Sequence, residues 1–458
     1  MTDTTVDLVV LGGGSAGYAA ALRAAELGSS VVLIEKDKLG GTCLHRGCVP
    51  TKTLLHAAEV ADDAREGAAY GLRTTFDGVD VPGLLKYKDG IVNKAYKGLQ
   101  GLIKSRGITV VDGKGTFVGP NTVVVGDDRY LGTDVVLATG SYSRSLPGLA
   151  IEGRVITSEQ ALGLEWIPES AIVLGGGVIG VEFASVWASF GTKVTIIEAL
   201  PSLVPAEDPW AQKLFERAFR KRKIAFSTGV RFAGVTQDES GVTVTLEDGK
   251  SFSADLLLVA VGRGAATAGC GFEEAGLNMD RGFVPTDERL RTNLPHVYAV
   301  GDIVPGLQLA HRGFQHGMFV AEEIAGMNPA VIPDSLIPKI TYSDPQIASV
   351  GLSEAKAIEV HGVDNIETLL YDLGGNPKSQ ILRTAGGVKA IRVKNGPVIG
   401  VHLVGARVGD LIGEAQMIVG WEAHPEDVAP LVHAHPTQYE AIGEAMLAMA
   451  GKPLHVHN

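Results

Sequence analysis

Along the chain the apolar positions switch between two periods, and they do so in the same order twice. Leu8-Val-Val-Leu11 is a short unbroken apolar run, followed by a glycine-rich turn, an alanine-rich stretch with helical spacing, a further glycine and a β-branched run ending in an acid. Residues 169–199 repeat this order and align with residues 6–36 without a gap at an offset of 163. Each copy predicts one βαβ unit. Shorter strand signals follow at residues 109–112, 121–125 and 135–139. Residues 262–276 are glycine-rich and close the second unit, and residues 333–338 read as a linker. The tail opens on an extended run at 339–350 and ends in a helix-patterned stretch at 437–450, mixed α+β material without a third glycine fingerprint.

The turn of each unit carries G-x-G-x-x-G, at Gly12, Gly14 and Gly17 and again at Gly175, Gly177 and Gly180. The first glycine permits the tight turn, the second lets backbone approach a pyrophosphate, and the third lets helix and strand pack closely. The helix then meets the phosphates with free N–H groups and its positive dipole end. Glu35 and Glu198 each stand 18 residues after the third glycine, where a carboxylate accepts hydrogen bonds from ribose hydroxyls. One such glycine pattern is weak evidence, but here strand, turn, helix, strand and acid recur together, which implies two dinucleotides. No Arg or Lys follows Glu198 until Lys213, so the second site is expected to prefer NAD over NADP unless a distant loop brings in a cation.

Composition narrows the class. A chain of 458 residues is long enough for about three domains. Its net charge of −12 offers no global positive field for nucleic acid or an anionic membrane. No apolar stretch reaches the ~18 residues of a membrane span, and the first residues lack the basic region of a signal peptide. A cytoplasmic enzyme is the expectation, with neither nucleic acid nor membrane as partner.

Of the 3 cysteines, Cys43 and Cys48 lie five apart, and Cys270 has no cysteine neighbour and reads as structural. In a regular helix a five-residue spacing leaves Cα atoms roughly 8 Å or more apart, too far for a disulfide, so a bond between Cys43 and Cys48 requires an irregular turn. Gly47 and Pro50 suit such a turn, with a helix beginning near Pro50 and Lys52 on the same face as Cys48. Arg46 and Lys52 make the setting electropositive, which favours a thiolate. Redox chemistry is the leading reading. Buried thiols remain open, and zinc would need four ligands where this segment, His45 included, supplies three. Near the end stands His433-Ala-His435-Pro-Thr-Gln-Tyr-Glu440. With Pro436 as first helical residue, His435 would sit at a helix start and Glu440 early in it, an acid/base arrangement if the two meet. Five-residue spacing is not a helix-face match, so a histidine bonded only to backbone is the simpler reading of these residues alone. His433, His435, His455 and His457 complete no familiar metal spacing.

Taken together, the segment GGTCLHRGCVPTK at residues 40–52, the two fingerprints, Ala138-Thr-Gly-Ser141, Val261-Gly-Arg263, Tyr298-Ala-Val-Gly-Asp302, Leu309-Ala-His311 and His433-Ala-His-Pro-Thr437 with Glu440 resemble the flavoprotein disulfide reductase family over nearly the whole chain. The likeness is greatest to the members that oxidise dihydrolipoamide with NAD+. The resemblance implies an α/β fold with two Rossmann-like dinucleotide-binding domains plus an α+β C-terminal dimerisation domain. The expected divisions are 1–147 for FAD, 148–269 for NAD, 270–337 completing the FAD site and 338–458 for the dimer interface. It further implies Cys43 as interchange thiol, Cys48 as the thiolate beside the flavin, Lys52 paired with Glu182, and His435 oriented by Glu440 as acid/base toward the cysteines of a second subunit. FAD would be held by Gly12, Gly14, Ser15, Ala16, Gly17, Glu35, Lys36, Gly41, Thr42, Lys52, Gly115, Thr139, Gly140, Gly301, Asp302, Leu309, Ala310 and His311. NAD+/NADH would be held by Gly175, Gly177, Val178, Ile179, Gly180, Glu198, Val261, Gly262 and Arg263. The implied partners are a second copy of the chain and the lipoyl domains of 2-oxoacid dehydrogenase complexes or a glycine-cleavage carrier protein, with no metal. A glutathione-reductase-like NAD(P)H enzyme and a binding or scaffold subunit are the alternatives. Three positions depart from the pattern: His45-Arg46 replaces the common Asn-Val and adds positive charge beside the cysteines, the proline usual after Val-Gly-Arg is absent, and His316 stands where an acid or amide is frequent.

Overall fold

The computed structural model describes residues 2–456, so His457 lies outside the described residues. Both repeats are βαβ units, and the offset persists in three dimensions. Strand Asp3–Leu11, helix Ser15–Glu26 and strand Val31–Glu35 correspond to strand Ser170–Leu174, helix Val178–Ser189 and strand Lys193–Ile197. The first sheet orders Thr109–Asp112, Val31–Glu35, Asp3–Leu11, Asp128–Leu137, Thr122–Val125 and Thr116–Gly119, with Val297–Ala299 added parallel to Asp128–Leu137. Val9, Val10, Val32, Leu33, Ile34 and Val135 to Leu137 are fully buried, as unbroken apolar runs in a parallel sheet covered on both faces must be. Helix Ala310–Ile324 lies against helix Ser15–Glu26 so closely that a Cβ on Gly317 would stand 2.3 Å from the Ala16 carbonyl oxygen. Residues far along the chain therefore build one wall of the first nucleotide unit.

The second sheet runs parallel in the order Ala225–Ser227, Lys193–Ile197, Ser170–Leu174, Leu256–Val259 and Val155–Thr157. Between Ala225–Ser227 and Leu256–Val259 the chain forms a three-stranded antiparallel layer, residues 232–254. Strand Ser141–Ser143 pairs antiparallel with Arg263–Ala265, which joins the chain just past the first sheet to the chain just past the second. The tail forms a five-stranded antiparallel sheet, in the order Lys339–Thr341, Gln346–Gly351, Val398–Gly405, Gly387–Val393 and Ile366–Asp372. Helices Val408–Gly420 and Glu440–Met449 share its core. No helix among the described residues is long and apolar enough to cross a membrane.

Two local expectations are corrected. The helix of the second cysteine begins at Cys48 rather than near Pro50, and Cys43 lies on its own short helix, Gly41–Arg46. Gly47 (φ −147°, ψ −108°) separates the two helices. The last helix begins at Glu440, so Pro436 is not its first residue. Residues 434–439 form a turn instead, in which the Thr437 hydroxyl donates to the Ala434 carbonyl at 2.6 Å and the Thr437 N–H donates to the Glu440 carboxylate at 2.6 Å.

A buried charge cluster fastens the second unit to the tail sheet. Asp208, 0% exposed, caps helix Pro209–Lys221 by accepting the Trp210 N–H, and also accepts from Lys389 Nζ at 2.8 Å. Lys389 donates as well to Glu354 at 2.6 Å. Removing one member of a buried pair strands the other charge, which costs roughly 3–5 kcal/mol. Lys389→Met is therefore expected to lower the thermal unfolding midpoint sharply, and the double variant Lys389→Met/Asp208→Asn to recover part of the loss; calorimetry on the full chain checks both.

Candidate active site

The two glycine turns sort their glycines by function. Gly12 (φ +108°) makes the bend, and a Cβ there would lie 2.3 Å from the Ala138 carbonyl oxygen; a Cβ on Gly17 would lie 1.8 Å from that of Gly12. Gly175 (φ +110°) and Gly180 repeat this, with 2.3 Å to Ala260 O and 2.0 Å to Gly175 O. Gly14 and Gly177 meet nothing within 4 Å, so the backbone is bare at the position a diphosphate approaches. Each acid braces its own turn: Glu35 accepts from Gly13 N at 2.6 Å and Asp37 N at 2.9 Å, and Glu198 from Gly176 N at 2.6 Å and Leu200 N at 2.7 Å. A carboxylate has about four acceptor sites, so capacity for ribose hydroxyls remains.

Both turns open into one cavity of about 1370 Å³, larger than the ~300–1,000 Å³ of a usual ligand pocket. From the first unit it is lined by Gly14, Ser15, Ala16, Thr42, Lys52 and Gly140, and from the middle of the chain by Gly301, Asp302, Leu309, Ala310 and His311. From the second unit come Gly175, Gly177, Val178, Ile179, Glu198, Val261, Gly262 and Arg263. The bare glycines at two helix N-termini, and the buried Thr139 hydroxyl left without a protein partner, fit two dinucleotides. Gly12, Gly17, Gly180, Glu35, Lys36, Gly41, Gly115 and Thr139, expected to hold the dinucleotides, are not among the residues that line it. Gly115 is there for packing, since a Cβ would lie 2.5 Å from Leu11 Cδ1.

The cysteine segment closes onto the first turn because two glycines allow it. Gly40 (φ +99°) donates its N–H to the Gly13 carbonyl at 2.8 Å, and a Cβ on Gly41 (φ +57°) would lie 2.8 Å from Gly14 Cα. Cys43 and Cys48, both free thiols in this structure, then line the cavity together. A hydrogen bond from Cys43 and the Lys52 charge outweigh burial and push the Cys48 thiol down to about 7, whereas the bond to Cys48 and burial push Cys43 up. The negative charge thus belongs on Cys48, at the first residue of helix Cys48–Glu66. Lys52 Nζ donates to both oxygens of the buried Glu182, at 2.9 and 2.8 Å, and this carboxylate holds the ammonium above its ordinary pKa against the effect of burial. The extra charge of Arg46 is engaged elsewhere, with Asp37 at 2.9 Å, and His45 bonds to the Leu39 carbonyl at 2.9 Å. His316, pushed down to about 4 by burial and by Arg312, is neutral and stands at 3.4 Å from the Gly301 N–H.

His435 and Glu440 do meet. Nδ1 of His435 lies 2.8 Å from Glu440 Oε1, because a turn rather than a helix spans the five residues. Burial raises the Glu440 pKa, but the Thr437 N–H and His435 more than offset it and hold the carboxyl below its usual value. Neither residue lines the cavity of the cysteines; the His435 side chain is 65% exposed on the face of the tail domain. Within one chain the thiols and this dyad are therefore separate.

Residues 6–317 match the pyridine nucleotide-disulphide oxidoreductase family model, and residues 337–446 match that family's dimerisation domain. The chain belongs to this family. It is 38% identical to a dihydrolipoyl dehydrogenase of Bacillus subtilis over 99% of both chains, and 36% identical to mitochondrial dihydrolipoyl dehydrogenase 1 of Arabidopsis thaliana over 98% of this chain and 91% of that one. Among solved structures, LpdA of Mycobacterium tuberculosis superimposes with a TM-score of 0.90 at 26% identity, covering 98% of this chain and 100% of that one. A Cu(II) complex of the flavoprotein disulfide reductase RclA of Escherichia coli gives 0.87 at 28% identity, covering 97% and 99%. FAD and NAD(H) are the cofactors of the oxidoreductase.

Three residues of the oxidoreductase site escaped the sequence reading. The Tyr342 N–H donates to Glu182 at 2.9 Å, and its ring centroid lies 4.9 Å from Lys52 Nζ; nothing local marks a tyrosine so far from both partners. Arg231, just before strand Phe232–Gln237 of the three-stranded layer, lines the same cavity as Glu198 and adds a cation there that the segment after Glu198 lacks. Ser141 bonds to Asp302, although its motif was legible. In the reduced enzyme, alkylation of Cys48 is expected to follow an apparent pKa near 7. Cys43→Ala is expected to move that midpoint upward and leave less thiolate at pH 7; rates of iodoacetamide labelling against pH, read by mass spectrometry, check both.

Proposed function

We propose that this oxidoreductase is a dihydrolipoyl dehydrogenase, oxidising protein-bound dihydrolipoamide to lipoamide and passing the electrons through Cys43, Cys48 and FAD to NAD+. The observation that carries the reading is the split between the thiols, with Cys48 lowered toward a thiolate and Cys43 kept protonated inside a cavity shared by both nucleotide turns. The names of the full-length relatives point the same way. In the proposed division, residues 1–147 and 270–337 hold FAD, 148–269 hold NAD, and 338–458 form the dimer interface.

In the oxidised enzyme Cys43 and Cys48 form a disulfide. One thiol of dihydrolipoamide gives its proton to His435 of the partner subunit, and its sulfur attacks Cys43, so that Cys48 leaves as a thiolate. The second substrate thiol attacks the mixed disulfide, lipoamide departs, and Cys43 is released and protonated. Glu440 fixes the tautomer that presents Nε2 of His435 as the base. Lys52 holds charge beside Cys48 and is itself held by Glu182. The first glycine turn and Asp302 would hold FAD, which when bound would supply two-electron transfer from the Cys48 thiolate and hydride transfer to NAD+. The exposure of His435 supports a homodimer in which each site takes its base from the other chain. Lipoyl domains are the partners this chemistry implies, and the cytoplasm is the proposed location.

NADH formation from dihydrolipoamide, with glutathione and NADPH as controls, tests the activity. Cys48→Ser is expected to abolish it, and His435→Gln to lower kcat by roughly 10²–10⁴-fold, the range for one acid/base group. Equal turnover by wild type and Cys48→Ser would sink the dithiol mechanism. Mixing inactive Cys43→Ser and His435→Ala chains under subunit exchange is expected to restore partial activity; none at all would count against a shared site.

A further inference from the structure

One hydroxyl joins the two nucleotide sites. Ser141 opens strand Ser141–Ser143, just past the strand that ends at Leu137 in the first sheet, and faces Ala265 across the antiparallel pair with Arg263–Ala265. Its Oγ accepts the Nε–H of Arg263 at 2.8 Å and donates to Oδ2 of Asp302. The Ser141 carbonyl accepts a second bond from Arg263, at 2.9 Å. Because a guanidinium only donates and a carboxylate only accepts, the direction of this chain is set, and the single hydroxyl proton lies toward Asp302. Among the described residues the Arg263 guanidinium bonds to Ser141 and Ser143 and the Asp302 carboxylate to Ser141, so Ser141 is their common anchor. Burial disfavours the Arg263 charge, and Asp302 works against that effect. All three residues line the cavity, and Oδ1 of Asp302 has no hydrogen-bond partner among the described residues.

We infer that Ser141 is a positioning residue that couples the two cofactor sites, holding Asp302 with Oδ1 free on the FAD side and Arg263 on the NAD side. The inference rests on the assignment of these sites to FAD and NAD. A cofactor that draws either charged group into place also orders the other through the shared hydroxyl. Coupling of this kind is reciprocal: bound NAD+ tightens FAD by the same factor as bound FAD tightens NAD+. Losing the hydroxyl leaves a half-buried guanidinium and a carboxylate each short of one charge-assisted bond.

The test uses the full-chain holoenzyme, diluted to equilibrium with and without saturating NAD+, with released FAD read by its fluorescence. In wild type NAD+ is expected to tighten FAD about 10-fold, within the usual range for coupled sites. Ser141→Ala is expected to reduce that factor to near one, and Ser141→Thr, which keeps a hydroxyl, to restore most of it. An unchanged factor in Ser141→Ala overturns the proposal, because direct stacking of nicotinamide on flavin would then carry the coupling. So does a factor of one in wild type that still oxidises dihydrolipoamide, an outcome that leaves the activity standing. A chain that binds no flavin overturns both the activity and the coupling.

Discussion

The pairing of Lys52 with Glu182 is the contact on which the site depends. Glu182 is on the first turns of the helix after the second glycine fingerprint, 2% exposed, and a bare carboxylate at that depth would be costly to desolvate. Lys52 satisfies both of its oxygens, and the Tyr342 N–H, just past the first strand of the tail sheet, adds a third bond. Three parts of the chain thereby meet at one carboxylate: the cysteine helix, the second nucleotide unit and the dimerisation domain. The same ammonium favours the Cys48 thiolate, so the group that locks the packing also tunes the chemistry. Stability and reactivity share this contact, which explains why a charge is tolerated where an apolar pair would pack as well.

Around that contact, glycines decide what approaches what. The absence of a Cβ at Gly41 brings the cysteine segment onto the first turn, and the break at Gly47 turns one helix into two. An unbroken helix would hold the sulfurs roughly 140° apart around its axis. With the break, the Cys43 thiol hydrogen-bonds to Cys48, and the second sulfur gains a helix N-terminus of its own. The asymmetry of the two thiols follows from geometry: one donates its proton, the other accepts it beside Lys52.

Much of this was legible before folding. The repeat was, because a parallel strand buried on both faces must be an unbroken apolar run and a diphosphate turn must be glycine. Glu35 and Glu198 were legible for the same local reason, although each also ties down its own turn, which spacing does not reveal. Other residues were hidden. Spacing argued against a contact between His435 and Glu440, since five residues on a helix face apart; the intervening turn, closed by Thr437, brings them together. Tyr342 and the tie through Ser141 had no local signal, because their partners lie on other elements.

The sequence by itself determined the elements whose signature lies within some thirty residues: two nucleotide-binding units, their acids, and a reactive cysteine pair. Local backbone geometry and burial period suffice for these, since turn, helix and strand are set by neighbouring residues. Only the tertiary structure decided which charges meet. It brought the Tyr342 N–H to the Lys52–Glu182 pair that the family resemblance implied, put both turns on one cavity, and left His435 on an outer face away from the thiols of its own chain. Electrostatic contacts act through space and depend on distance and burial, and neither can be read along the chain.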